Sequence, residues 1–309
     1  MAERNGRQLP RRWVVSAVTL SLAGVATGAF GATRARDGDG AGPSHGPAPA
    51  SPIPTTPAID RIDQARTRIK AYVQRYDGHL AVAALDRQGT AAVTVGTRRF
   101  QTASIVKVNI LAALLLRQSP PGKALSADTR RLAEAMIVSS DNDAAVALWQ
   151  RIDGSRGLAA ANRALGLQET RPNVHWGITT TTAADQLRLL SALTSPTGPL
   201  TPQDRTFIMG LMKKVIPEQR WGVSAAREPG NRSYYVKNGW DTADVDGGRW
   251  LVNSIGRIVE ARHDWLIAVL SDHHVSQKEG VRVVEKTATY VLKELRAATR
   301  DDAATRTSG

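Results

Sequence analysis

Strand-forming runs sit near both ends of this chain, and a long helical stretch separates them. His79–Leu85 and Ala91–Val95 come first, joined by Asp86-Arg87-Gln88-Gly89, a hairpin-type link. Strand character returns only at about 233–238, 249–260 and 263–271. Helical periodicity marks about 59–76, 104–117, 126–138, 142–152, 155–165, 181–194, 202–214 and 277–298. A compact solution is an α/β fold of the α+β kind. One antiparallel sheet is built from the N- and C-terminal strands. The terminal helices cover one face, and the central helices form an all-helical lobe on the other. A cleft is expected between sheet and lobe.

The two ends stand apart from this pattern. Residues 1–36 pair a basic front (Arg4, Arg7, Arg11, Arg12) with an uncharged stretch, 13–32, that ends in small residues. This is the layout of a signal peptide or, if uncleaved, of an N-terminal anchor. Arg11-Arg12 hints at a twin-arginine signal. Residues 37–58 are a Pro/Gly/Ala-rich linker, and 298–309 are expected to be a disordered polar tail. That leaves 59–297 as one folded domain, large enough for a sizeable apolar core. The chain has no cysteine, which rules out disulfides, thiolate metal sites and a lipid-modified cysteine. The net charge is +13, of which the first 36 residues carry +5, leaving +8 for the rest. The localisation implied is outside the cytoplasm, secreted or anchored, with possible contact to anionic wall polymers. No basic run interleaves with aromatics, so no nucleic-acid partner is expected. The oligomeric state is not legible.

Three short motifs carry the chemistry. Ser104 and Lys107 lie one turn apart at the start of a helix whose next residues, Ile110–Leu116, are apolar on nearly every face. A serine becomes nucleophilic beside a base, and a buried lysine can be that base. Ser140-Asp141-Asn142 falls between helices; alone it reads as a helix cap, with Asp141 bracing the turn. Lys237-Asn238-Gly239 ends a strand-like run; alone it reads as an Asn-Gly hairpin turn. No metal is assigned, since His273 and His274 would face opposite ways on a strand and no third ligand is evident. No cofactor is implied. Trp221, Trp250 and Trp265 read as core or cleft-wall aromatics.

In this order the motifs resemble those of the class A β-lactamases and the related penicillin-binding D-Ala-D-Ala peptidases, over about residues 59–297. Leu165-Gly166-Leu167 and Thr179–Ala184 add to the likeness. The resemblance implies a serine hydrolase acylated at Ser104 by a β-lactam or a D-Ala-D-Ala-like peptide. Lys107 is then the base and Ser140 the proton shuttle. Asn142, Lys237, Asn238 and Gly239 bind substrate, and the backbone N–H groups of Ser104 and Trp240 form the oxyanion hole.

Three departures qualify what the resemblance implies. The stretch from Ser104 to Ser140 is short, as if a cleft-wall segment bearing an aromatic were deleted. Asn238 replaces a hydroxyl residue. The loop Gln168–Gly177 lacks the family's Glu and the Asn, three intervening residues further on, that together hold the deacylating water. Glu169 reads as a surface charge, and His175 reads as structural rather than as a substitute base. Acylation with slow release, or release by a different base, is the leading reading. A true β-lactamase and a catalytically silent wall-binding module are the alternatives.

Overall fold

A computed structural model describes residues 58–118, 123–243 and 246–299. The signal and linker expectations, 1–36 and 37–58, lie outside these residues apart from Ala58. So does the tail, apart from Ala298 and Thr299, which close the last helix.

Helix α1 (Ala58–Gln74) buries Ile62, Ala65, Ile69 and Val73, three and four residues apart. Helix α8 (Gln277–Thr299) does the same with Val284, Ala288, Val291, Leu292 and Leu295. Both stripes lie on one face of a five-stranded antiparallel sheet. Its strands are β1 (His79–Asp86), β2 (Ala92–Val95), β5 (Tyr234–Ala243), β6 (Arg249–Val259) and β7 (Asp264–His274), in the order β2-β1-β7-β6-β5. The first strands therefore pair with the last, as the split of strand runs predicts. Central β7 shows how one strand serves two cores. Trp265, Ile267 and Val269 pack with the terminal helices, while Leu266, Ala268 and Leu270 pack with the helical lobe.

The lobe centres on α2 (Val106–Leu116), buried at every position from Val106 to Leu115. Around it lie α3 (Ala127–Glu134), α4 (Asn142–Arg151), α5 (Gly154–Ala164), α6 (Ala183–Thr194) and α7 (Pro202–Lys213). A two-residue ladder, β3 (Phe100–Gln101) with β4 (Thr180–Thr181), links the lobe to the chain just before α2. That ladder is too short to show a period in the sequence.

Three expected boundaries shift. The helix expected from 104 begins at Val106, after a 3-10 turn, Ala103–Ile105. The helix expected over 126–138 is α3 followed by a π-helical turn, Ala135–Ser139. The strand expected to end at 238 runs on to Ala243, so Asn238-Gly239 is not a hairpin turn.

Candidate active site

Ser104 rides on the 3-10 turn, where Ala103 has φ +43°. A left-handed non-glycine residue costs about 1–3 kcal/mol and persists only where its surroundings hold it. Several bonds do so. The Thr102 N–H donates to Thr179 O at 2.8 Å, and Asn253 Nδ2 donates to Gln101 O at 2.8 Å and to Thr102 O at 3.3 Å. Strand β5 presses on the same turn. A Cβ at Gly239 would sit 2.7 Å from Ser104 N and 2.7 Å from Thr102 O, so only glycine allows this approach. The strand that carries Trp240 thus runs past the Ser104 N–H.

Lys107, one turn on, is fully buried, with Nζ donating to Ser140 O (2.6 Å), Ser140 Oγ (3.2 Å) and Asn142 Oδ1 (2.7 Å). The Ser104 hydroxyl is not among its partners. Catalytic hydrogen bonds often tighten only once substrate is bound. Ser140 reaches Lys107 because it ends the π-helical turn in a left-handed conformation, φ +61° and ψ +34°. Asp141 then caps α4, accepting from the Ala144 N–H at 2.7 Å, which is the bracing expected of it. Asn142, exposed on the first turn of α4, spends its oxygen on Lys107.

The other side of Ser140 meets β5, where Lys237 Nζ donates to Ser140 Oγ at 2.9 Å and to Asn238 O at 3.0 Å. One hydroxyl therefore bridges two buried lysines. Burial pushes Lys107 down to about 8, partly opposed by the Asp141 charge. Burial, and then the charge of Lys107, lower Lys237 well below the usual lysine value. Two ammonium groups this close repel, and neither is well hydrated, so the neutral form of a lysine becomes accessible near neutral pH. A neutral amine can take a proton from a hydroxyl, and the bridging Ser140 can pass one on.

Asn238 departs from its expected place among the substrate ligands. Neighbouring strand residues face opposite ways, so with Lys237 turned toward the lobe, Asn238 faces the terminal helices. Its amide donates to Gln219 O (2.9 Å) and Trp221 O (3.1 Å), and its oxygen accepts from Ser254 Oγ at 2.6 Å. It is 1% exposed and its hydrogen-bonding capacity is used inside the protein. Gly222, at φ +81°, lets that turn close in, since a Cβ there would meet Ser254 Oγ at 2.2 Å. Trp240 packs edge-on against Trp221 on the same side.

The loop 168–179 closes the remaining side. Buried Asp185 anchors its start, accepting from the N–H groups of Gln168 (3.0 Å), Glu169 (2.7 Å) and Thr170 (2.6 Å), and from Thr170 Oγ1 (2.7 Å) and Arg188 (2.7 Å). Burial pushes the Asp185 carboxyl up, but these bonds outweigh it and hold it below the ordinary carboxylate value. Glu169 points outward to Arg99 at 2.9 Å, the surface charge expected. His175 is exposed. The loop residue that reaches the site is Trp176, which no sequence motif singles out. Its ring centroid lies 4.9 Å from Lys107 Nζ. Its one sequence signal is that of a lone aromatic in a polar loop. Of the other tryptophans, Trp265 is core, as expected. His273 bonds Asp246, while buried His274 bonds Tyr76 and Ser271, so the two histidines serve separate networks.

This fold is shared with solved structures. TLA-3 extended-spectrum β-lactamase superposes with a TM-score of 0.63 at 15% identity, over 76% of this chain and 99% of that one. A mutant of PBP-A, solved as an acyl-enzyme complex with penicillin G, gives 0.62 at 18% identity, over 76% of this chain and 97% of that one. A class A β-lactamase from Mycobacterium abscessus gives 0.59 at 21% identity, over 74% and 98%. At these identities the likeness speaks for the fold alone. By sequence, the chain is 30% identical over 190 residues to a Mycobacterium bovis protein named "Putative lipoprotein LppW". That match covers 58% of this chain and 59% of the relative's length. Residues 115–295 match the family described as the beta-lactamase enzyme family, a span that includes Ser140 and Lys237 and begins after Ser104 and Lys107. With more than half of its length matched, and with this fold, the chain belongs to the beta-lactamase enzyme family.

Proposed function

We propose that this chain is an exported serine acyl-enzyme, acylated at Ser104 by a β-lactam or a D-Ala-D-Ala-like peptide, with slow release of the acyl group. The single observation that carries this reading is the Ser140 hydroxyl held between Lys107 and Lys237, at 3.2 and 2.9 Å. In the step proposed, Lys107 takes the Ser104 hydroxyl proton as Oγ attacks the carbonyl carbon. The carbon–nitrogen bond then breaks, and the proton passes through Ser140 to the leaving nitrogen. The N–H groups of Ser104 and Trp240 hold the oxyanion, and Lys237 receives the substrate carboxylate. Slow release is supported by the loop, whose Glu169 is spent on Arg99 at the surface.

Export rests on the layout of residues 1–36 and is supported by the lipoprotein name of the mycobacterial relative. Among the described residues no helix is long and apolar enough to cross a membrane. Intact-mass spectrometry of the protein with benzylpenicillin, followed over time, tests the reading. A single stoichiometric mass gain that decays slowly and is absent in Ser104→Ala supports it. Rapid turnover without a lasting adduct points to a true β-lactamase. Peptidoglycan binding without any adduct, unchanged in Ser104→Ala, points to a silent binding module.

A further inference from the structure

Trp176 sets its ring against the buried lysine, and its position is built rather than incidental. It lies on a 3-10 turn, Trp176–Ile178, and is half-buried against the apolar core of the lobe. The chain beside it is tied on both sides. The Arg171 N–H donates to Thr180 O at 2.8 Å, and the Asn173 N–H donates to Thr179 Oγ1 at 3.2 Å. Thr102, two residues before Ser104, donates to Gly177 O through its hydroxyl and to Thr179 O through its N–H. The ring is thus fastened to the same turn that carries the nucleophile.

Hydrolysis of an ester at Ser104 adds a water hydroxyl to the acyl carbon, breaks the bond to Ser104 Oγ and returns a proton to that oxygen. It needs a water and a base beside Lys107. An indole ring supplies neither, and this one is packed over the Lys107 ammonium group, its centroid 4.9 Å from Nζ. We propose that Trp176 is a positioning residue that keeps the Lys107 side of the site dry and thereby prolongs the life of an acyl group on Ser104. The proposal rests on the acyl-enzyme reading above. The loop then stores the acyl-enzyme instead of discharging it.

Lys107 also faces Asp141 at the cap of α4 and Lys237 on β5, and neither changes when the ring is removed. Burial is the largest cause of the lowered Lys107 value, so the hydration let in by that removal is expected to outweigh the lost attraction of the ring for the ammonium group. The pH midpoint of acylation should therefore rise above the wild-type value.

The test compares wild type, Trp176→Ala, Trp176→Gln and Trp176→Phe with benzylpenicillin by time-resolved intact mass, with folding checked by circular dichroism. Trp176→Ala and Trp176→Gln should shorten the adduct lifetime at least tenfold and move the acylation midpoint upward. Trp176→Phe should keep both near wild type. If Trp176→Ala does not fold, Trp176→Gln against Trp176→Phe gives the same comparison. If neither Trp176→Ala nor Trp176→Gln folds, a lifetime in Trp176→Phe shortened like that expected of an open site overturns the proposal, and a retained one supports it. Unchanged lifetime and midpoint in a folded Trp176→Ala or Trp176→Gln overturn the Trp176 proposal alone. Absence of any adduct on the wild type overturns the parent reading.

Discussion

The two sides of the cleft are built on opposite principles. On one side Lys107, Ser140, Asn142 and Lys237 form a continuous polar network around two buried lysines, whose charge the protein has made costly. On the other side, the loop 168–179 is pinned by its backbone to Asp185 and sets the Trp176 ring 4.9 Å from Lys107 Nζ, while its one carboxylate, Glu169, turns to Arg99 at the surface. The first side is equipped to move protons, and the second to hold still. The difference teaches that, on the acyl-enzyme reading proposed above, forming the acyl group and releasing it would depend on different elements of the fold.

The largest expected effect lies on the reactive side. Ser104→Ala should abolish adduct formation, read by intact mass, and any adduct that persists would mean another residue is the nucleophile. Ser140→Ala removes the bridge between the lysines and should slow acylation about 100-fold, the scale of a lost proton relay. A second-order rate constant unchanged by this substitution would detach Ser140 from the chemistry. On the loop side, Asp185→Asn should cost about 2–4 kcal/mol by weakening charge-assisted bonds to buried donors. At about 2–4 °C per kcal/mol, the loss should be clear in thermal melting. A melt unmoved by this change would show that the loop is not held from Asp185.

Asn238→Ala sharpens the comparison further. If Asn238 is a tie between strand and turn, the change should cost about 1–3 kcal/mol of stability while leaving the acylation rate within a few-fold. A rate loss without a stability loss would return Asn238 to the substrate site. The gentlest test is pH. Burial lowers Lys107 to about 8, so below that pH its neutral form grows roughly tenfold with each unit of rise, and it levels off above. Acylation should rise from pH 6 to 8 and flatten beyond, and a flat profile over that range would dismiss Lys107 as the base.

Legibility in the sequence follows the strength of the local signal. Helix α2 is readable because a run that is apolar on every face has nowhere to go but inside. Lys107 near its start has to be buried with it, and the structure leaves it fully buried. The π-helical turn before Ser140 and the two-residue ladder β3–β4 leave no trace, since neither is long enough to impose a period. The Asn-Gly pair misleads at the level of the turn. Ten paired positions with β6 hold β5 straight through it, and a local turn preference of order 1 kcal/mol cannot overcome that.

By itself, then, the sequence determined the class of fold and the motifs that carry the site. Strand runs confined to the two ends can bury both faces of one sheet only by pairing first with last, and the apolar stripes of α1 and α8, against an α2 apolar on every face, assign each helix to a layer. Only the tertiary structure decided which neighbours those motifs meet. That Ser140 bridges two lysines, that Asn238 turns away from the cleft and that Trp176 reaches Lys107 are contacts between residues 33 to 97 positions apart or committed by strand alternation. Such contacts depend on burial and on packing angles, which no local pattern encodes.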